Sequence, residues 1–192
     1  MIQLDTSWLQ HVQKPARYTG GEYNSIVKDH STVDITMALG FPDVYEVAMS
    51  HLGIKILYGL VNRREDAVAE RVFAPWHDME EEMRKRNIPL FSLETRTPIK
   101  DFDVLAFTLQ YEMSFTNILN MLDLAGIPMY AKDRDMDFPL LVCGGPCAYN
   151  VEPIADFFDI VSLGESEEWG DEFIDLLKAE KAKGFPDRKS VV

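Results

Sequence analysis

Short apolar runs alternate with amphipathic segments along most of this chain, and that alternation limits the folds open to it. Strand-like runs occur at 33–39, 68–73, 103–109, 139–143 and 159–163, and helical segments follow them. Strands joined through a helix lie parallel, because the connection returns the chain to the same end of the sheet. The sequence therefore predicts an α/β domain with a parallel sheet covered by helices on both faces.

Apolar residues at helical spacing mark the faces expected to pack on that sheet. They are Leu52, Ile56, Leu57, Leu60 and Val61 in the first helix, Trp76, Met79 and Met83 in the second, and Trp169, Phe173, Leu176 and Leu177 in the last. In the remaining helix, Ser114 is expected to act as the N-cap, and Gly126 to end the helix. Residues 90–93 are predicted to form a short additional strand, and 43–50 to belong to a loop.

The chain divides into three parts by composition. Residues 1–30 carry Pro15 and two adjacent glycines with little periodicity, which indicates an arm lying on the domain. The α/β domain is predicted to span 31–180. The charged stretch that follows favours a linker over 181–192.

Charge and cysteine content exclude several classes of protein. A net charge of −13 repels phosphate backbones, so nucleic-acid binding through this domain is not expected. The chain has neither an apolar run long enough to cross a membrane nor the basic and apolar start of a secretory signal, and we expect a cytoplasmic protein. Its two cysteines are expected to be reduced thiols, because C-x3-C alone lacks the third thiolate of a cluster motif.

Ligands of open α/β sheets bind outside the carboxyl ends of the strands, where loops and helix amino-termini converge. The loops at those ends are 41–53, 108–114, 144–150 and 164–167. Their composition favours a flat ligand with a phosphate-bearing tail. The candidate binding residues are Tyr45, Ser50, His51, Thr108, Gln110, Gly144, Gly145, Gly164 and Glu165. The alternative is that the glycine pair only turns the chain and that Tyr45 and Tyr111 pack over the sheet edge.

No catalytic residue or metal ligand is predicted in this chain. The other histidines, His11, His30 and His77, form no metal-binding spacing. A phosphate-binding loop of the Walker type and the G-x-G-x-x-G pattern are both absent from the sequence. Thr108 and its neighbours stand where a response-regulator receiver domain needs an acceptor aspartate, which disfavours phosphorylation signalling.

Six strings, in this order, resemble the B12-binding-domain-containing radical-SAM proteins, in a branch often found as long fused proteins. They are 15–24 (PARYTGGEYN), 38–46 (ALGFPDVYE), 50–53 (SHLG), 70–76 (ERVFAPW), 109–112 (LQYE) and 144–147 (GGPC). The resemblance covers about residues 14–180. It implies a flavodoxin-like, Rossmann-like domain of the cobalamin-binding type, followed by a radical-SAM barrel that holds a 4Fe–4S cluster and S-adenosylmethionine.

The same resemblance assigns roles to particular loops. The loop after the first strand would face the corrin ring of cobalamin, and Thr108 would lie near its nucleotide tail. Gly144 and Gly145 match a glycine pair that lets the tail approach the backbone, and Gly164 and Glu165 match the residues that close the last strand.

The chain also departs from the family pattern. His51 has no aspartate two residues before it, so the Asp-x-His-x-x-Gly motif is absent and no histidine ligand to cobalt is expected. The usual Gly-Glu-Gly-Glu ending is replaced by Gly-Glu-Ser-Glu at 164–167. The motif C-x3-C-x2-C is missing, and we expect it in a barrel beyond residue 192. Residues 187–192 match the translation of a common sequencing-adapter string and are expected to be an artefact.

Two functional hypotheses follow. In the first, the chain is the cobalamin- or substrate-binding module of a radical-SAM enzyme, is not catalytic alone, and has the barrel of its own chain as its partner. The reaction would be methyl transfer or another radical modification. In the second, the chain is a non-catalytic binding or protein-interaction module that keeps the fold without binding cobalamin.

Overall fold

The computed structural model describes residues 6–184. A five-stranded, all-parallel sheet in the order β2-β1-β3-β4-β5 forms its centre. The strands are β1 (Ile35–Phe41), β2 (Ala67–Phe73), β3 (Val104–Thr108), β4 (Leu140–Gly144) and β5 (Ile160–Val161), and the α-helices are α1 (Tyr45–Ser50), α2 (Leu52–Arg63), α3 (His77–Arg86), α4 (Phe115–Ala125) and α5 (Ser166–Ala182). This strand order is typical of flavodoxin-like folds. It confirms the predicted α/β architecture of the flavodoxin-like or Rossmann-like kind.

Side chains of the central strands alternate between the two faces of the sheet, and helices cover both faces. Leu105 and Leu141 lie in one core with residues of α3 and α4. Met37 and Val142 lie in a second core with residues of α2 and α5. Because both faces are buried, the central strands consist of nearly continuous apolar runs. These runs made the strands recognisable in the sequence.

Helix α2 buries Val61 as predicted, but the rest of its packed face is rotated from the predicted one. Leu52 and Ile56 are 68% and 41% exposed, whereas Tyr58 and Asn62 are buried. Polar contacts fix this rotation: the Tyr58 hydroxyl accepts a hydrogen bond from Ile26 N at 2.7 Å, and the Asn62 amide pairs with the backbone of β2. A stripe of apolar residues does not reveal such contacts.

The predicted faces of α3 and α5 need smaller corrections. Trp76 precedes α3 and is 42% exposed, while Met79 and Met83 are buried as expected. In α5, Leu176 is 44% exposed, and Ile174 is buried in its place. Both misplaced residues are large and apolar, so spacing alone assigned them to the core.

Residues 90–93 do not form the predicted additional strand. Phe91 makes one isolated bridge with Pro98, and Leu93 N donates a single hydrogen bond to Arg71 O at 2.7 Å. Leu90 and Phe91 are apolar because they are buried in the core beside α3 and α4. The segment is therefore a buried loop.

Two local predictions were wrong, and the last strand is shorter than predicted. The predicted loop at 43–50 contains the short helix α1. Ser114 makes no side-chain cap to α4, because its hydroxyl donates instead to Tyr111 O at 2.6 Å. The last strand is limited to Ile160–Val161 at the sheet edge. Gly126, with φ of 68°, ends α4 as expected.

Residues before β1 pack along the edge strand β2 and on both helical layers. Trp8 and Val12 are buried in the core beside α3 and α4. Ile26 contacts Tyr58 of α2, and the Lys28 ammonium donates to three main-chain carbonyls between α2 and β2. Together with Leu93, whose N–H donates to Arg71 O at 2.7 Å, this segment covers the edge of β2. The division of the chain into arm, domain and linker stays a prediction.

The edge strand β2 carries a fully buried carboxylate, that of Glu70. It accepts hydrogen bonds from Ser92 Oγ at 2.5 Å and from Thr95 Oγ1 at 2.7 Å, and His30 Nε2 lies 2.7 Å from its other oxygen. Desolvation raises the pKa of Glu70, but these hydrogen bonds outweigh it and the net pKa is lowered. The network joins the arm, β2 and the buried loop at 90–97.

Acid is expected to weaken the fold through Asp66, at the start of the segment that leads into β2. Hydrogen bonds from Arg64, at 2.9 and 3.1 Å, and from Lys178 hold the pKa of Asp66 well below its usual range. A carboxylate with a lowered folded-state pKa stabilises the protein above its unfolded pKa of about 3.9, and that stability is lost as the pH falls toward the folded-state value. Urea unfolding at pH 6, 4 and 3 should show a steeper loss below pH 4 for the natural protein than for Arg64→Gln. Equal pH slopes would contradict this assignment.

Within the described residues, no helix combines the length and apolarity that crossing a membrane requires. Helix α5 extends to Ala182, inside the predicted linker. Residues 187–192, with the predicted artefact, and the first five residues lie outside the part of the chain that the structure describes.

Candidate functional site

A cavity of about 240 Å³ lies between one face of the sheet and helices α2 and α5, open at the carboxyl ends of the strands. Its floor is formed by β-strand residues, among them Leu39, Ala106 and Val142. Its helical wall is formed by Ile54, Leu57, Trp169, Phe173 and Ile174. The cavity therefore occupies the place where open α/β sheets bind ligands.

Most of the candidate residues predicted from sequence lie around this cavity. They are His51, Thr108, Gln110, Gly144, Gly145, Gly164 and Glu165. They come from four different loops, which lie together at the carboxyl ends of the parallel strands. Their role in ligand binding stays a prediction.

Tyr45 and Ser50 lie in α1 and are not among the residues lining the cavity. The Tyr45 hydroxyl donates to Glu22 Oε1 at 3.2 Å, and its ring packs edge-on against Phe73. Ser50 is exposed and donates to Val47 O at 2.7 Å. Because α1 interrupts the loop after β1, these side chains contact the arm, β2 and their own helix.

Gly145 holds the loop after β4 close to the loop after β3. Its φ is 103°, and a Cβ atom there would lie 3.0 Å from Leu109 O and 3.1 Å from Gln110 Nε2. The same two loops share backbone hydrogen bonds, from Leu109 N to Gly144 O at 2.7 Å and from Cys147 N to Leu109 O at 3.0 Å. A side chain at Gly145 would be strained and would push the loops apart.

Neutral polar groups are present at the mouth of the cavity. Gln110 Nε2 donates to Thr108 Oγ1 at 2.5 Å, which leaves the amide oxygen of Gln110 as an acceptor. The hydroxyls of Ser162 and Ser166 belong to residues that also line the cavity. These groups are suited to orient a ligand through hydrogen bonds.

His51 has a structural role at the start of α2. Its Nδ1 accepts a hydrogen bond from Ile54 N at 3.4 Å, and its ring packs on Phe41 with centroids 5.1 Å apart. A neutral imidazole that accepts through Nδ1 carries its proton on Nε2 and has no second acceptor for a metal. This arrangement disfavours metal ligation by His51.

The two thiols are free and buried. Burial raises the pKa of Cys143 to about 12. Burial raises the pKa of Cys147 as well, and the neighbouring Glu112 adds to that increase. Since metals and clusters bind the thiolate, neither cysteine is prepared as a ligand. In the described part of the chain, no three histidine, cysteine or acidic side chains are grouped closely enough to hold a metal ion.

Sequence reasoning missed the helical wall of the cavity. The rings of Trp169 and Phe173 stack with centroids 4.5 Å apart and lie on the cavity. Their spacing of four residues is also that of ordinary core packing, and so we predicted only burial. Gly170, which lies between them in the sequence, also lines the cavity, and it gave no signal of its own.

Comparison with known proteins identifies the family of this chain. A family model described as "Radical SAM proteins, N-terminal" matches residues 53–192, which include most of the cavity lining. The uncharacterized protein MJ0966 of Methanocaldococcus jannaschii is 28% identical over 134 residues, which is 68% of this chain and 24% of that protein. The chain thus spans about a quarter of the length of this curated relative. Because the family model covers well over half of the chain, the chain belongs to the family of radical SAM protein N-terminal domains.

Proposed function

We propose that this chain is the cofactor-binding N-terminal module of a cytoplasmic radical SAM enzyme, and that its cavity takes the nucleotide tail of cobalamin. The observation that carries the proposal is the apolar cavity at the carboxyl edge of the sheet, between β-strands and helices α2 and α5. The family match supports the enzyme class. The corrinoid is our own inference.

The lining residues fit a flat heteroaromatic group. A cavity of roughly 150 Å³ lined by apolar side chains holds one benzene ring, and the present cavity of about 240 Å³ is larger. Trp169 and Val142 supply apolar walls, while Thr108 and Gln110 supply polar atoms at the mouth. A bicyclic base with a sugar attached matches this division between an apolar interior and a polar mouth.

His51 would not bind cobalt in this arrangement, because its Nδ1 accepts a hydrogen bond from α2. A bound corrinoid would supply methyl-transfer or radical chemistry at its cobalt. The residues of this chain would bind and orient the tail and exclude water from it. We further propose that the full protein continues into a barrel with C-x3-C-x2-C, a 4Fe–4S cluster and S-adenosylmethionine.

Large apolar side chains are exposed at the carboxyl ends of the strands, on the loops there and at the start of α2. They are Leu52 (68% exposed), Tyr111 (61%), Met113 (72%), Tyr149 (74%) and Leu163 (63%). Exposed apolar groups gathered at one edge are typical of a surface that binds another group or domain. In our proposal they face the corrin ring and the barrel of the same chain. The same observation favours the second candidate function, a protein-interaction module that binds no cobalamin.

Equilibrium dialysis against hydroxocobalamin and cobinamide separates the two functions. Cobinamide keeps the corrin ring but lacks the nucleotide base, so the cavity can add affinity only for cobalamin. We expect cobalamin to bind at least about tenfold more tightly, equivalent to about 1.4 kcal/mol. Absence of cobalamin binding by the folded chain would refute the cofactor role and favour the interaction module.

A further inference from the structure

We propose that the cavity discriminates against phosphomonoesters and favours ligands whose polar end carries at most one negative charge. This inference rests on the proposed function, because it concerns the same cavity, and it adds the charge class of the ligand. Flavodoxin-like folds also bind ligands that end in a phosphomonoester, such as FMN. The charge of the side chains at the mouth of the cavity determines whether a phosphomonoester or a less charged ligand binds more tightly.

The charged residues that line the cavity are acidic. Glu165 and Glu167 lie at its mouth and are exposed, and the lining residues within the described ranges include no lysine or arginine. The remaining polar lining consists of His51, neutral hydroxyls and the Gln110 amide. A doubly charged phosphate entering this mouth would therefore meet like charges without a cationic side chain to balance them.

The amino-terminus of α5 does not reverse this preference. A helix amino-terminus attracts anions through its unpaired N–H groups and its dipole. In α5, Glu165 occupies the N-cap position and Glu167 lies in the first turn, so carboxylates of the chain already oppose that attraction. The dipole is thus complemented by the protein itself.

Three backbone amides of the adjoining loops already donate hydrogen bonds within the protein. Leu109 N donates to Gly144 O at 2.7 Å, Cys147 N to Leu109 O at 3.0 Å, and Ser162 N to Cys143 O at 2.7 Å. Phosphate sites without cationic side chains depend on such amides pointing at the ligand. These three point at carbonyl oxygens of the protein.

The carboxylates at the mouth instead suit donor groups on the ligand. Sugar hydroxyls and the amide groups around a corrin ring are uncharged donors that carboxylates accept well. A phosphomonoester carries about −1.5 to −2 charge near pH 7. The phosphodiester of cobalamin carries one negative charge and its nucleoside fragment carries none, so both meet less repulsion at this mouth than a phosphomonoester does.

The test compares a benzimidazole riboside with the same riboside carrying a 5′-phosphate, by titration calorimetry on the full chain. We expect the uncharged riboside to bind at least about tenfold more tightly than its phosphate. The double variant Glu165→Gln/Glu167→Gln should reduce this preference to within about threefold, and 1 M NaCl should weaken it in the natural protein. Glu172→Gln removes an exposed carboxylate of the same helix outside the cavity and should leave the preference unchanged.

Equal affinity for the two ribosides, or a preference that survives the double variant, would overturn this inference. Failure of the uncharged riboside to bind would overturn it as well. Hydroxocobalamin titrated in parallel keeps the proposals apart. If cobalamin binds while the riboside preference is absent, only the charge selectivity is wrong, and if cobalamin also fails to bind, the proposed function is wrong too.

Discussion

Replacing Asp159 by alanine is expected to lower the free energy of unfolding by about 3–5 kcal/mol, because it breaks a buried ion pair with the guanidinium of Arg134. The side chain of Arg134 is 0% exposed and that of Asp159 6% exposed, with Nη2 and Oδ2 3.1 Å apart. Asp159 Oδ2 also accepts a hydrogen bond from Leu141 N at 2.8 Å, at the start of β4. The substitution therefore removes a partner from two groups.

Urea unfolding followed by circular dichroism measures this loss. Asp123→Ala is a suitable control, because it breaks an ion pair with Arg84 in which both side chains are nearly half exposed. Exposed pairs contribute about 0–1 kcal/mol. A loss in Asp159→Ala no larger than in Asp123→Ala would show that the buried pair does not hold the loop before β5 in place.

The second large effect is expected on binding. Ala106 lies in β3 on the floor of the cavity, and Ala106→Phe would place a ring in the space assigned to the ligand base. We expect cobalamin affinity to fall by at least about a hundredfold, equivalent to about 2.7 kcal/mol. The fold should tolerate the added ring, because the side chain would occupy a cavity that already exists.

Ala106→Ser provides the matched control, since it changes the same position without filling the cavity. Its affinity for cobalamin should stay within about threefold of that of the natural protein, because a serine side chain leaves the cavity open to the ligand. Thermal unfolding of both variants checks that any loss of binding is local. Undiminished cobalamin binding by a folded Ala106→Phe would place the ligand elsewhere.

The central part of the fold was predictable from the sequence for a physical reason. Residues such as Leu105 and Leu141 belong to strands buried on both faces, so their runs are apolar throughout and easy to locate. The two edges of the sheet were harder to predict from the sequence. Two residues, Ile160–Val161, pair at one edge, while at the other edge Glu70 is buried in β2 among partners distant in sequence.

The candidate site was predictable only where topology determines position. The parallel strands bring Thr108, Gly144 and Gly164 to one edge, and the structure places all three on the cavity. Tyr45 was assigned to the same edge, but helix α1 directs it toward the arm. The stacked ring of Trp169 was missed, because helical spacing does not distinguish a residue that lines a cavity from one that fills a core.

The most direct test of the central claim is a crystal structure of the chain grown with hydroxocobalamin. The account predicts electron density for the nucleotide base inside the cavity, against Trp169 and Val142, with the corrin ring over the exposed loops at the carboxyl edge. It also predicts no histidine of this chain bound to cobalt. Corrinoid density elsewhere on the molecule, with the cavity empty, would contradict the account.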